Sequence, residues 1–149
     1  MDVVIEEARD ASAALLADLN ALVPQLSSTA SPLTAAALTE LLAHEGTSVL
    51  VARLGDRVVG TLTLVEFAIP TGRRAWIEDV VVDAAVRQRG VADQLTRAAL
   101  ALAAAHGVRQ VDLTSRPSRQ AANALYQKLG FVRRDTNVYR FSLDSEPSA

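Results

Sequence analysis

The sequence predicts an α/β protein of the α+β kind, with helices covering a mixed sheet in a single domain. Three observations predict it. Some segments alternate apolar and polar residues with a period of two, and others repeat near 3.6. These segments follow the order β, α, α, β, β, β, α, β, α, β, β, which gives six to seven strands and about four helices. The chain has 149 residues, 50% of them hydrophobic and 21% charged, enough for one folded core.

Each element has its own justification. "VVIEEA", residues 3 to 8, is a β-branched run and reads as the first strand. In "DASAALLADLNALV", Leu15, Leu19, Leu22 and Val23 recur at helical spacing, Asp10 is placed to cap, and Pro24 is expected to end the helix. "SPLTAAALTELLAHEG" predicts a second helix with Leu33, Ala37, Leu41 and Leu42 on one side and Gly46 as its stop. "TSVLVARLGDRVVGTLTLVEF" is a hairpin around Gly55 and Asp56, "IPTGRR" a turn, and "AWIEDVVV", residues 75 to 82, a long strand. The next helix, "GVADQLTRAALALAAAHG", carries Val91, Leu95, Ala99 and Leu102 as its stripe and ends at Gly107. "RQVDLT" is a strand, "SRQAANALYQKLG" a helix closed by Gly130, and "FVRRDTNVYRFSL" two short closing strands. The core is expected over about 3 to 143, with residues 144 to 149 as a frayed tail.

Composition removes several function classes. A net charge of −2 argues against bulk attraction to nucleic acid. There are no cysteines, hence no disulfide, thiolate metal site or cysteine nucleophile. His44 and His106 lack metal-ligand spacing and fall at predicted helix ends, so no metal is expected. No apolar run approaches the ~18 residues of a membrane span, and the N-terminus lacks a signal-peptide pattern. The expected location is the cytoplasm of a bacterial-type cell.

Two stretches carry chemistry. In "VVVDAAVRQRGVADQL", residues 80 to 95, a strand feeds a loop that opens a helix. A helix N-terminus has unpaired N–H donors and a partial positive charge, which favour an anion such as pyrophosphate. Gly90 allows close backbone approach, and Arg87 and Arg89 add mobile charge. Asp93 suits the helix dipole but repels phosphate unless it points away. The stretch lacks the three glycines of a dinucleotide fingerprint and the lysine of a Walker loop. In "SRQAANALYQKLGF", residues 118 to 131, Arg119, Asn123 and Tyr126 fall on one helical side, beside a stripe of Ala122, Leu125 and Leu129. Taken singly, each stretch is also compatible with plain architecture or a solvated face.

Together the stretches resemble a known family. Arg87-Gln88-Arg89-Gly90-Val91-Ala92 is similar to the acetyl-coenzyme A signature of the Gcn5-related N-acetyltransferases, the GNAT family. "ANALYQKLGFVRR" resembles the family's second motif and "TNVYRF" its closing strand. The resemblance implies a mixed, largely antiparallel sheet with splayed central strands, and acetyl-coenzyme A (acetyl-CoA) as acyl donor. It implies that the main chain of Val80, Val81 and Val82 pairs with the pantetheine arm. The amides from Gln88 through Gly90, Val91 and Ala92 to Asp93 would hold the pyrophosphate. Asn123 would contact the pantetheine or thiol end, and Tyr126 would protonate the leaving thiolate. "IEDVVV" resembles the substrate-facing strand of the family's glucosamine-phosphate acetyltransferases, which makes Glu78 the base and Glu78 with Asp79 the substrate contacts. Glu78 is two residues before Val80 and is expected to share its face, with an ion pair to Arg73 or Arg74 as the alternative. Two departures stand out. Only one loop glycine is present, and Arg119 occupies the position seven residues before the tyrosine where many members carry asparagine, so Arg119 could reach a cofactor phosphate instead.

The acceptor amine is left open. Glu66, Glu78 and Asp79 suit a cationic amine, whereas Arg73 and Arg74 suit an anionic one. A small molecule, a peptide, a protein N-terminus or a lysine are all compatible. The alternatives are a catalytically silent acyl-CoA sensor and an interaction subunit. Dimers are common in the family, so a homodimer is a possible assembly.

Overall fold

The computed structural model describes residues 2–144. They form two compact units, one ending at Arg116 and the other beginning at Pro117. In the first unit, strands β1 (Val4–Glu7), β2 (Thr47–Leu54), β3 (Arg57–Ile69), β4 (Gly72–Val82) and β5 (Val111–Asp112) form one sheet in sequence order. Neighbours are antiparallel except β4 and β5, which are parallel. Helices α1 (Ala13–Leu26), α2 (Ala35–Ala43) and α3 (Val91–Ala105) complete this unit. The second unit carries α4 (Gln120–Lys128).

Both faces of the central strands are covered, so β2 and β3 each bury five consecutive residues rather than alternate ones. On one face, Leu15, Leu19 and Leu22 of α1 join Leu38 of α2 and Val49, Val51, Val58 and Val81 of the sheet in a buried cluster. On the other, α3 packs Val91 and Leu95 so closely over β3 that a Cβ on Gly60 would lie 3.1 and 3.3 Å from them. Leu62 and Leu64 of β3 and Ala75 and Ile77 of β4 are buried. Each buried leucine contributes roughly 2 kcal/mol through removal of apolar surface from water.

Several boundaries differ from the sequence expectation. Ser12, not Asp10, caps α1, accepting from Leu15 N–H at 3.1 Å. Pro24 lies inside α1, which runs on to Leu26. It falls in the last turn, where little helix remains to be lost, and the Ser27 N–H still reaches the Val23 carbonyl at 2.9 Å. Helix α2 starts after Thr34, whose hydroxyl accepts from Ala37 N–H, and ends at Ala43. Gly46 therefore serves a different need: a Cβ there would sit 2.6 Å from the Glu66 carbonyl oxygen. The "IPTGRR" turn shrinks to Pro70 and Thr71, because β3 and β4 pair as far as Ile69 and Gly72. The two closing strands are not formed: residues 131–144 contain no strand, and Val132, Val138, Tyr139, Phe141 and Leu143 are 72–93% exposed. Alternation marks a face but supplies no hydrogen-bonding partner, and a strand needs both. The expected frayed tail lies outside the described residues except for Asp144.

Candidate active site

In the first unit, the candidate residues begin where β4 and β5 part. Their ladder contains only Ala75 with Val111 and Trp76 with Asp112, yet β4 continues to Val82. Six residues of β4, about 20 Å of backbone, thus extend past the last β5 pair. This is the splay, and it exposes one hydrogen-bonding edge of residues 77–82. Val81 is buried in the α1 cluster and Val80 and Val82 are half-buried, so these side chains pack while the main chain is presented.

A bulge interrupts β4 within this segment. Thr61 pairs with Val81 and Thr63 with Glu78, so Asp79 and Val80 together face Leu62. Asp79 takes φ 49°, a left-handed conformation that an acidic side chain tolerates better than most. The bulge corrects one expectation. Glu78 does not share a face with Val80 by simple alternation. Thr61 and Thr63 share a face, so Glu78 lies on the face of Val81, the one covered by α1. Glu78 and Asp79 are both exposed, and neither carboxylate has an ion pair among the described residues. The alternative pairing of Glu78 with Arg73 or Arg74 is absent; Arg73 lies instead beside Glu66, at 3.9 Å.

Beyond Val82 the chain is fixed by Asp83. Its carboxylate accepts from Ala85 N–H at 3.0 Å and pairs with Arg57. The Ala84 N–H donates to Gln25 Oε1 at 3.0 Å. The Ala85 hydrogen bond holds the Asp83 carboxyl below its ordinary 3.8, with help from Arg57 and against a smaller desolvation effect. A 3₁₀ turn, Ala84–Val86, follows, and Val86 is buried. Sequence reading gave Asp83 no role, although an acid followed by two alanines at a strand end is a capping signal.

Gln88 at φ 66° and Gly90 at φ 76° then turn the backbone into α3. Gly90 is the N-cap and supplies no side-chain cap. None of the backbone N–H groups from Gln88 to Asp93 finds a partner among the described residues. Asp93 is directed away from this row, since Arg97, one turn further on, donates to its carboxylate at 2.6 Å. Arg87 and Arg89 are exposed, and Arg87 Nε reaches the Val82 carbonyl at 3.3 Å. The loop is thus an open row of donors flanked by two guanidinium groups.

The second unit carries the other candidate residues of the sequence motifs. Arg119 is the N-cap of α4 with non-helical backbone, so it precedes the helix on which Asn123 and Tyr126 stand. Asn123 Nδ2 donates to the Arg119 carbonyl at 2.8 Å, which fixes the amide at the start of the helix. Tyr126 is half-buried and meets Phe131 edge to face, with ring centroids 5.7 Å apart. Burial pushes its phenol pKa above 10.0, opposed by the nearby Arg119 charge.

The histidines cap α2 and α3, as their positions at predicted helix ends imply. His106 also makes a contact that sequence reading missed, 2.7 Å from Glu66 Oε2. Glu66 is buried and opposes Ala75, on the α3 side of the sheet. It therefore does not join Glu78 and Asp79 as exposed negative charge. Among the described residues no cluster of three or more metal-ligating side chains is present, and no helix is long and apolar enough to cross a membrane.

The first unit thus combines a mixed sheet and a splayed parallel pair with a helix reached through an open row of amides. The chain belongs to the acetyltransferase (GNAT) family, whose profile matches residues 14–131. No curated protein matches it significantly. Among solved structures, an assigned acetyltransferase from Agrobacterium tumefaciens str. C58 is 27% identical, with 93% of this chain and 99% of that one covered and a TM-score of 0.83. A Trypanosoma brucei acetyltransferase is 25% identical over 95% and 100% of the two chains, with a TM-score of 0.80. An aminoglycoside acetyltransferase from an uncultured soil metagenomic sample, in complex with trehalose, shares the fold at 20% identity, over 95% and 97%, with a TM-score of 0.85.

Proposed function

We propose that the chain is an acetyl-CoA-dependent N-acetyltransferase, a single domain over 1–149, that transfers acetyl directly to a primary amine in a ternary complex. The observation that carries this reading is the edge of β4 beyond its last β5 pair, leading into amides of 88–93 that find no partner among the described residues. An extended pantetheine arm with a pyrophosphate at one end would meet both groups of donors in order. Val80, Val81 and Val82 would pair with the arm through their main chain. Arg87, Arg89 and Arg119 would add charge for the cofactor phosphates, and Asn123 would contact the arm.

In the transfer step the amine nitrogen attacks the thioester carbonyl carbon. A C–N bond forms, the C–S bond breaks, and the amine proton passes to Glu78 directly or through water. The amide of Val80 or Val81, beside the bulge, would hold the oxyanion. Tyr126 would serve the departing thiolate. Its raised pKa defines how: a phenol above 10 gives up its proton reluctantly to a thiolate whose acid has a pKa of about 8.5. Tyr126 therefore acts chiefly as a hydrogen-bond donor, with complete proton transfer following from solvent.

The exposed carboxylates of Glu78 and Asp79, which have no ion pair among the described residues, support a cationic acceptor. One similar fold, AAC(6')-Iy at 19% identity, was solved with a bisubstrate analogue joining CoA to an acetylated neamine. Thiol release measured across a panel of aminoglycosides, polyamines, amino sugars and amino-terminal peptides tests the proposal. Turnover with at least one amine is the expected result. Tight acetyl-CoA binding without thiol release from any amine would replace the enzyme with a sensor.

A further inference from the structure

The opposite end of β4 holds a feature that the transfer reaction does not use. A cavity of about 300 Å³ is lined by Thr71, Gly72, Arg73, Arg74, Arg109 and Gln110. Three of these six residues carry guanidinium groups, in a chain whose net charge is −2. Arg73 is balanced in part by Glu66, whose Oε1 is 3.9 Å away and has no hydrogen-bond partner. Arg74 and Arg109 have no ion pair among the described residues.

Arg73 and Arg74 are consecutive in β4 and leave opposite faces of the strand, so they line the cavity from two sides. Val108 is buried and its N–H bonds to the Ala103 carbonyl, which anchors the turn after α3. The Ala75 N–H then donates to the Gln110 carbonyl at 3.3 Å, fastening that link alongside β4. Gly72 bends the hairpin with φ 132°, and a Cβ there would meet nothing within 4 Å, so the space beside it is open. Arg74 and Asp79 are five residues apart, about 17 Å along the strand, so the cavity is remote from the bulge.

We infer that this cavity is a second ligand site, for a small multivalent oxyanion: a phosphate monoester or a di- or tricarboxylate. Arginine presents a planar fork of donors that grips carboxylate or phosphate oxygens in pairs, and the bonds are charge-assisted. Thr71 and Gln110 supply neutral polar groups at the rim. The inference does not depend on the proposed transfer reaction.

Calorimetric titration of the full chain with inorganic phosphate, pyrophosphate and citrate, at constant ionic strength, tests it. One equivalent of anion is expected at this cavity, in addition to any held by the donor row of 88–93. Arg74→Ala combined with Arg109→Ala should weaken it at least about tenfold while acetyl-CoA affinity and melting temperature stay unchanged. Arg87→Ala combined with Arg89→Ala should leave one site for the same anion. A response to the phosphates alone assigns a phosphate ester, and a response to citrate alone assigns a polycarboxylate. The site is disproved if no anion binds, or if binding survives the Arg74/Arg109 change and disappears with the Arg87/Arg89 change.

Discussion

Tyr126→Phe removes one oxygen and keeps the ring that packs edge to face on Phe131. It should lower kcat by about 10²-fold while changing acetyl-CoA affinity less than twofold, read by steady-state kinetics beside calorimetry. Equal turnover would take the phenol out of the reaction. Glu78→Gln keeps the size and removes the negative charge; it should lower kcat by about tenfold to a hundredfold at unchanged acetyl-CoA affinity. Motif resemblance alone names both residues as candidates, and these variants test them. What spacing could not convey was the face on which Glu78 stands, since an inserted residue changes alternation without altering composition. Glu66 misled for a related reason. Its identity says acid, and only the fold reveals burial against His106 and Arg73.

At the scale of elements, the loop after β4 is held in place by its first residue. Asp83→Ala should lower the melting temperature by about 4 °C, and Asp83→Asn by less, because an amide oxygen still accepts from Ala85 N–H. The carboxylate's folded pKa is depressed, so its contribution is present above 3.8 and lost as pH falls through the lower folded value. The gap between wild type and Asp83→Asn should therefore close in melts below that pH. Gly90→Glu should abolish acetyl-CoA binding: it sets a negative charge at the donor row and a side chain at φ 76°, costing about 1–2 kcal/mol in backbone strain. Unchanged affinity would move the pyrophosphate elsewhere. The hairpins, α3 and α4 were legible because period and turn residues agree within each. Pro24 and the closing segment were not. Proline's effect depends on how much helix follows it, and a strand depends on a partner far away in sequence.

For the whole molecule, ligand linkage gives a direct measurement. Acetyl-CoA at a hundred times its dissociation constant should stabilise the fold by about 2.7 kcal/mol, raising the melting temperature by roughly 5–10 °C in a thermal shift assay. The fold class was readable because element order, the loop motif and the tyrosine motif agreed. The acceptor was not readable, because β4 carries exposed charges of both signs, Arg73 and Arg74 beside Glu78 and Asp79, and no motif ties either pair to one amine.

The bulge in β4 also makes the activity separable from the fold by a single lost codon. Two residues, Asp79 and Val80, stand opposite Leu62. Removing Asp79 would let Val80 face Leu62 one to one, while the pairs Thr61–Val81 and Thr63–Glu78 stay as they are. The sheet would regain an unbroken ladder, and the strained left-handed residue would vanish. Such a chain should melt no lower than its parent and yet fail to release thiol. If the proposed transfer holds, an in-frame deletion of three nucleotides would be a short evolutionary path from an active chain to a silent one with the same fold.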